Sequence, residues 1–348
     1  MRAFGHTGMQ VGVLGFGAGE IGSENTPFKI VDRMVGEALE AGLNVIDTAP
    51  LYSDSEEKLG RALQGRRDQF LLFTKCGRHL PRKSHWKGFW LRAKRKVRRW
   101  TDQSDPPEYQ SPEWQPGVLE WNIEQSLRRL KTDRIDLIQL HSCSEETLRR
   151  GEVIEVLERA RQAGKVRHIG YSGDGMAALY AVRCGHFDAL QISLNIADQE
   201  ALDLTVPLAR QRGLGVIAKR PIANALWRIP RPENIYYQSY WDRLQELGYD
   251  FLAGGRALEM ALRFTLSVSG LHTMIVGTTN PVHLRQNVEF AAAGVLDGEQ
   301  FDAIRNRWKK VARIELEKTK ELDGGRFIAT PEFDVDTDAG STNSQATS

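Results

Sequence analysis

The chain is poor in several things, and each shortage excludes something. It holds only three cysteines, Cys76, Cys143 and Cys184. An odd number without a CxxC pair excludes a disulfide framework and fits a reducing compartment. No run of about 18 apolar residues occurs, so no transmembrane segment is expected. Neither charge is in excess: 47 Lys and Arg against 45 Asp and Glu leave a net +2, too little to call for a polyanionic partner. The opening stretch MRAFGHTGMQ lacks the charged-then-apolar order of a secretory leader. The eight histidines are scattered, with no HExxH and no His/Cys cluster, so no metal site is expected. The expectation is a cytoplasmic protein with no specific nucleic-acid partner. Oligomeric state has no signature in the sequence.

What is present is a strict alternation. Eight short apolar runs, 11–17, 43–48, 69–75, 134–141, 166–172, 188–193, 214–219 and 272–277, are nearly continuous in apolar residues. That pattern belongs to strands buried on both faces. Amphipathic stretches lie between them. In 28–41, Ile30, Met34, Val35 and Leu39 share a face, with Thr26 as N-cap, Pro27 in first position and Gly42 past the end. In 117–130 the stripe is Leu119, Ile123, Leu127 and Leu130. Further helices fit 54–63, 151–163, 174–184, 202–212, 256–268 and 281–292. Eight strand–helix units predict an α/β fold, a (β/α)8 TIM barrel over residues 1–329, with a doubly wound open sheet as the alternative.

Three segments depart from the alternation. Residues 78–116 form a long insertion after the third strand, whose part 83–100 mixes basic residues with Trp86, Phe89, Trp90 and Trp100. It reads as a solvated flap over the substrate pocket, then as an anion-selecting lid, then as a membrane or nucleic-acid contact. Residues 222–255 form a second long segment, and 330–348 a polar, disordered tail.

The chemistry sits at strand ends. Asp47 ends the second strand, Tyr52 follows in its loop, Lys75 ends the third and His141 the fourth. Residues on that rim of a barrel carry catalysis. Reduction of a carbonyl needs a proton at oxygen. A phenol with a pKa of about 10 delivers it better beside an ammonium, which favours the phenolate. Asp47 keeps that ammonium charged and oriented, and a histidine directs the substrate oxygen. Gly17-Ala18-Gly19-Glu20-Ile21-Gly22 matches GxGxxG. The following helix starts only near Pro27, so the glycines read as a tight first loop near the cofactor and not as a Rossmann fingerprint. Gly277, Thr278 and Thr279 precede a helix starting near Pro281, a natural phosphate site.

These blocks carry a resemblance. GLNVIDTAPLYSDSEEKLGRAL, FLLFTKCG, LRRLKTDRIDLIQLHS, ARQAGKVRHIGYS and IVGTTNPVHLRQNV are similar to the aldo-keto reductases, from about residue 1 to about 312 outside the insertion. The resemblance implies NAD(P)H-dependent reduction of a small aldehyde or ketone, with NADP(H) preferred and NAD(H) the alternative. It carries over Asp47, Tyr52, Lys75 and His141 as a catalytic tetrad, with Tyr52 the general acid. It implies cofactor contacts at Gly17, Ala18, Asp47, Ser172, Gln191, Lys219, Arg220, Pro221, Gly277, Thr278, Thr279, His283, Gln286 and Asn287. Ser172 and Gln191 would hold the carboxamide, and Gln286 and Asn287 the adenine. The expected substrate pocket is Tyr52, His141, Trp86 and Trp227. The chain departs from the family pattern at Gly277 and His283, where basic residues usually grip a 2′-phosphate. It departs also at Ser172-Gly173, and at Lys219-Arg220-Pro221 in place of Tyr-Ser-Pro. A competing reading of the same fold is a non-catalytic, cofactor-sensing subunit of a larger assembly.

Overall fold

Eight short parallel strands close on themselves, each paired with its neighbours in sequence and the last with the first. The computed structural model describes residues 1–79 and 112–319. The aromatic-basic stretch 83–100 with Trp86, and the tail 330–348, lie outside the described residues. The barrel strands are β3 (Leu14–Gly17), β4 (Val45–Asp47), β5 (Leu71–Cys76), β6 (Ile135–His141), β7 (Val166–Ser172), β8 (Ala189–Ser193), β9 (Gly215–Lys219) and β10 (Thr273–Gly277). The helices are α1 (Gly19–Ser23), α2 (Phe28–Glu40), α3 (Ser55–Ala62), α4 (Pro116–Leu130), α5 (Glu145–Arg149), α6 (Glu152–Gln162), α7 (Gly175–Arg183), α8 (Thr205–Gln211), α9 (Ile235–Leu247), α10 (Ala257–Leu266), α11 (Pro281–Ala292) and α12 (Gly298–Thr319). The chain thus forms the (β/α)8 barrel that the alternation predicts. Among the described residues no helix is long and apolar enough to cross a membrane.

Strand periodicity divides the barrel interior into layers. Val45, Phe73, Leu137, Ala189, Ile217 and Ile275 fill one apolar layer. Burying side chains of that size contributes about 1.5–3 kcal/mol each. Two residues further along the same strands the interior turns polar, with Asp47, Lys75, Gln139, Gln191 and Lys219. The apolar layer forms a floor and the polar layer a mouth.

The floor is closed from below by a feature the sequence reading missed. Residues 11–17 are not one strand. β1 (Arg2–Ala3) and β2 (Gln10–Val11) form a small antiparallel hairpin, and its Phe4, Met9 and Val11 pack into the barrel's lower layer. Gly12 then breaks the run, its N–H donating to Asn44 Oδ1 at 2.8 Å, before β3 starts at Leu14. The cap of α2 also differs. Pro27 is the cap residue and Phe28 starts the helix. Thr26 is buried one residue before the cap, and no side chain caps the helix. The buried face of α2 is Val31, Met34, Val35 and Ala38, one step round from the expected stripe. A second apolar cluster, including Tyr240, Leu244, Phe264 and Trp308, joins α9, α10 and α12.

Candidate active site

The mouth is built by β4, β5 and β6. Asp47 and Lys75 are the last interior residues of β4 and β5, both almost fully buried. Lys75 Nζ donates to Asp47 Oδ2 at 2.6 Å and to Thr48 O at 3.0 Å. Its ammonium lies 5.0 Å from the centre of the Tyr52 ring. The Tyr52 ring meets His141 edge-on, with centroids 6.0 Å apart and planes at 89°. Asp47, Tyr52, Lys75 and His141 therefore converge on one spot.

The electrostatics of the four follow from burial and pairing. Burial works to lower Lys75, but Asp47 and Tyr52 outweigh it and hold the ammonium above its ordinary range, so it stays charged. His141 is pushed well below its ordinary value, first by burial and then by the cations of Lys75, Lys219, Arg78 and Arg220. It is a neutral imidazole at neutral pH. Tyr52 differs from the sequence-based expectation. Burial raises its pKa and the nearby Lys75 ammonium only partly offsets this, so the phenol is held as phenol at rest.

The GxGxxG glycines are not a plain loop. Helix α1 begins inside the motif, and Gly22 lies against the Tyr52 backbone: a Cβ there would meet Tyr52 O at 1.8 Å. Gly19 faces the Tyr52 ring. The motif seats the tyrosine loop, a role with no signal in sequence spacing. The backbone of Ala18 is fully engaged, donating to Asp47 O at 2.9 Å and accepting from Ser55 Oγ at 2.8 Å.

Ser172 and Gln191 stand beside the four but face them. Ser172 Oγ donates to Gln191 Oε1 at 2.8 Å, and Gln191 Nε2 donates to Asp47 Oδ1 at 3.1 Å. Lys219 pairs with Asp174 at 2.9 Å, and Asp174 also accepts from Ser193 N at 2.7 Å. Arg220 turns to Ser193 Oγ at 2.7 Å and Tyr240 OH at 3.0 Å. Pro221 O accepts from Thr265 Oγ1 at 2.8 Å. Tyr240 and Arg243 both bond Asp198. A cavity of about 450 Å3 opens over this side of the mouth, lined by Arg78, Ser142, Asp174, Glu200, Lys219 and Arg220 among others. Of the expected pocket residues, Tyr52, His141 and Trp227 do not line it, and Trp227 packs against the second apolar cluster.

Across the mouth, β10 ends at Gly277 and α11 begins at Pro281, capped by Asn280 through Val282 N. Among the described residues the amides of Thr278 and Thr279 make no hydrogen bond to backbone. The Thr278 and Thr279 amides lie just before the Asn280 cap and offer donors to a dinucleotide, so these residues fit one. His283 and Gln286 are exposed and Asn287 is buried. Two acids that sequence reasoning passed over close in on the loop. A Cβ on Gly277 would meet Glu20 Oε2 at 1.9 Å, and Thr279 Oγ1 donates to Glu24 Oε2 at 2.9 Å.

Polar side chains gathered at the C-terminal rim of a closed parallel barrel define a barrel enzyme. The chain belongs to the aldo/keto reductase family, whose model matches residues 13–309. It is therefore an oxidoreductase of carbonyl chemistry that works with a nicotinamide cofactor. It is similar to L-galactose dehydrogenase of Arabidopsis thaliana, 29% identical over 92% of this chain and 96% of that protein. It is also similar to the NADH-specific methylglyoxal reductase of Escherichia coli, 26% identical over 80% of this chain and 88% of that one. An aldo-keto reductase from Bacillus halodurans, solved in its holo form, superposes with a TM-score of 0.71 at 26% identity, covering 88% of this chain and 95% of that one.

Proposed function

We propose that this protein interconverts an aldehyde or ketone and its alcohol, with Tyr52 as the proton donor in the reducing direction. The observation that carries the reading is the convergence of a buried Lys75–Asp47 pair, the Tyr52 ring and a neutral His141. The cofactor, when bound, supplies the hydride. His141, uncharged, hydrogen-bonds the substrate oxygen and fixes its direction. Tyr52 keeps its proton until negative charge builds on that oxygen, and then gives it up because a phenol is a stronger acid than an alcohol. Lys75 stabilises the phenolate left behind. At an effective dielectric near 20, a charge at about 4 Å is worth roughly 4 kcal/mol before desolvation. Asp47, itself held by Gln191, and Thr48 O keep that ammonium in place.

The names of two relatives point to the substrate class, a small hydroxylated carbonyl compound. L-galactose dehydrogenase and the D-threo-aldose 1-dehydrogenase of Pseudomonas sp, 27% identical over 84% of this chain, carry sugar names. For the cofactor, Glu20 and Glu24 favour NAD(H) over the NADP(H) that the family resemblance first implied. A carboxylate accepts hydrogen bonds from ribose hydroxyls and repels a 2′-phosphate. Arg285 of α11 is engaged with Glu37, and Lys58 of α3 with Asp54. The three cysteines, none of them in a disulfide, fit a reducing, cytoplasmic setting.

The test is Tyr52→Phe, assayed with a panel of hydroxylated aldehydes and with NADH and NADPH in parallel. Loss of general-acid catalysis lowers kcat by about 10²- to 10⁴-fold while cofactor binding, read by tryptophan fluorescence, is retained. Activity persisting in Tyr52→Phe would remove the tyrosine from its role. Cofactor binding by the wild type without turnover on any aldehyde would favour the sensing-subunit reading. Tighter binding of NADPH than NADH would reverse the cofactor choice alone.

A further inference from the structure

Gln139 is the residue in the barrel that nothing above employs. It lies on β6 one interior position below His141, at 0% exposure. In register it stands between Lys75 on β5 and Gly170 on β7. Gly170 makes room for it: a Cβ there would press on Gln139 Cγ at 3.2 Å. Yet neither the amide nitrogen nor the amide oxygen of Gln139 has a hydrogen-bond partner. Directly above it, on the same face of the same strand, His141 Nδ1 is also buried without a partner. Its Nε2 is not among the buried orphan atoms.

Three orphan hydrogen-bonding atoms, stacked in one column inside a barrel, are an expensive arrangement. Each buried unsatisfied polar group costs about 1–3 kcal/mol. Leucine would fill the column at no such cost. Native interiors resolve such clusters with an internal water making two to four hydrogen bonds. Here the atoms on offer are an amide donor, an amide acceptor and an imidazole nitrogen.

We propose that Gln139 is a positioning residue: with an internal water it hydrogen-bonds His141 Nδ1 and so fixes the tautomer that carries its proton on Nε2, aimed at the substrate oxygen. The water donates to Nδ1 and accepts from the Gln139 amide N–H. With Nδ1 occupied as an acceptor, the single proton of a neutral imidazole must sit on Nε2. The inference rests on the reading of His141 as the group that faces the substrate oxygen, but it can be checked without turnover.

The experiment compares the full-length wild type with Gln139→Leu. In 15N-labelled protein the imidazole shifts of His141 report which nitrogen is protonated. Wild type is expected wholly in the Nε2–H form, and Gln139→Leu in a mixture of tautomers. The variant should lose about tenfold in kcat, within the range for a misdirected acid–base group, with KM changed less than about twofold. Its Tm should fall modestly, because the water and His141 Nδ1 lose the Gln139 amide as a partner. An Nδ1–H form in the wild type overturns the proposal even if the variant fails to fold. So does an unchanged tautomer in Gln139→Leu, or a fall in Tm without any change in the imidazole shifts. Loss of the reductase reading would show differently, as Tyr52→Phe retaining activity with the tautomer still fixed.

Discussion

Gly22 shows how closely the Tyr52 loop is held. The missing side chain leaves room for Tyr52 O, and a methyl there would overlap it at 1.8 Å. Overpacking of this kind costs typically 1–3 kcal/mol, and a displacement of about 1 Å in a catalytic group can cost about 100-fold in rate. Gly22→Ala is expected to lower kcat/KM by about tenfold or more and to shift the denaturation midpoint downward. Gly19→Ala is the control: its Cβ would stand 3.9 Å from the Tyr52 ring, ordinary contact, and should leave both quantities nearly unchanged. Equal behaviour of the two variants in steady-state assays and melts would show that α1 does not seat the tyrosine.

The segment after β9 is strained as an element. Arg220, Ala223, Asn224 and Ala225 all have positive φ, between 46° and 55°, without a glycine among them. Left-handed backbone costs an L-residue about 1–2 kcal/mol, offset at a glycine by roughly 0.5–1 kcal/mol of extra chain entropy. Ala225→Gly should therefore stabilise the fold by about 0.5–1 kcal/mol, measured by denaturant unfolding. A loss of stability instead would mean that the Ala225 methyl contributes more by packing than its backbone costs. This segment also marks where sequence reasoning stopped. The eight barrel strands were legible because strands buried on both faces are apolar throughout. The β1–β2 hairpin was not, since Val11 to Leu14 continues the same apolar run and only Gly12 separates them. Helix α12 carried a readable stripe, Ile304, Trp308, Val311 and Ala312 at helical spacing, but it follows the eighth strand–helix unit, where the alternation calls for no further helix. At the mouth, Asp47, Tyr52, Lys75 and His141 were legible as strand-end residues in a recognisable block. Glu20 meeting Gly277, and Tyr240 meeting Asp198, are products of barrel closure and leave no local pattern.

At the scale of the whole molecule the barrel is asymmetric from end to end. Its mouth concentrates ionisable groups, and one of them titrates near neutrality. Burial, with Asp198 adding to it, pushes Glu200 up to about 7 from an ordinary 4.5, despite Arg243 at 3.4 Å. A carboxyl that holds its proton more tightly when folded favours the folded state in acid, and that contribution fades as pH rises from about 4.5 to about 7. Glu200→Gln is accordingly expected to be more stable than the wild type at pH 8, with the advantage shrinking below pH 5. Parallel stability curves across this range would mean that Glu200 titrates normally. The opposite end is corked by Phe4, Met9 and Val11. A tube stoppered at one end has a single route to bulk solvent. Any proton, solvent molecule or deuteron bound for Lys75 or Gln139 must come and go through the opening that admits the substrate, so whatever occupies that opening also governs how fast the barrel's inner polar groups exchange with their surroundings.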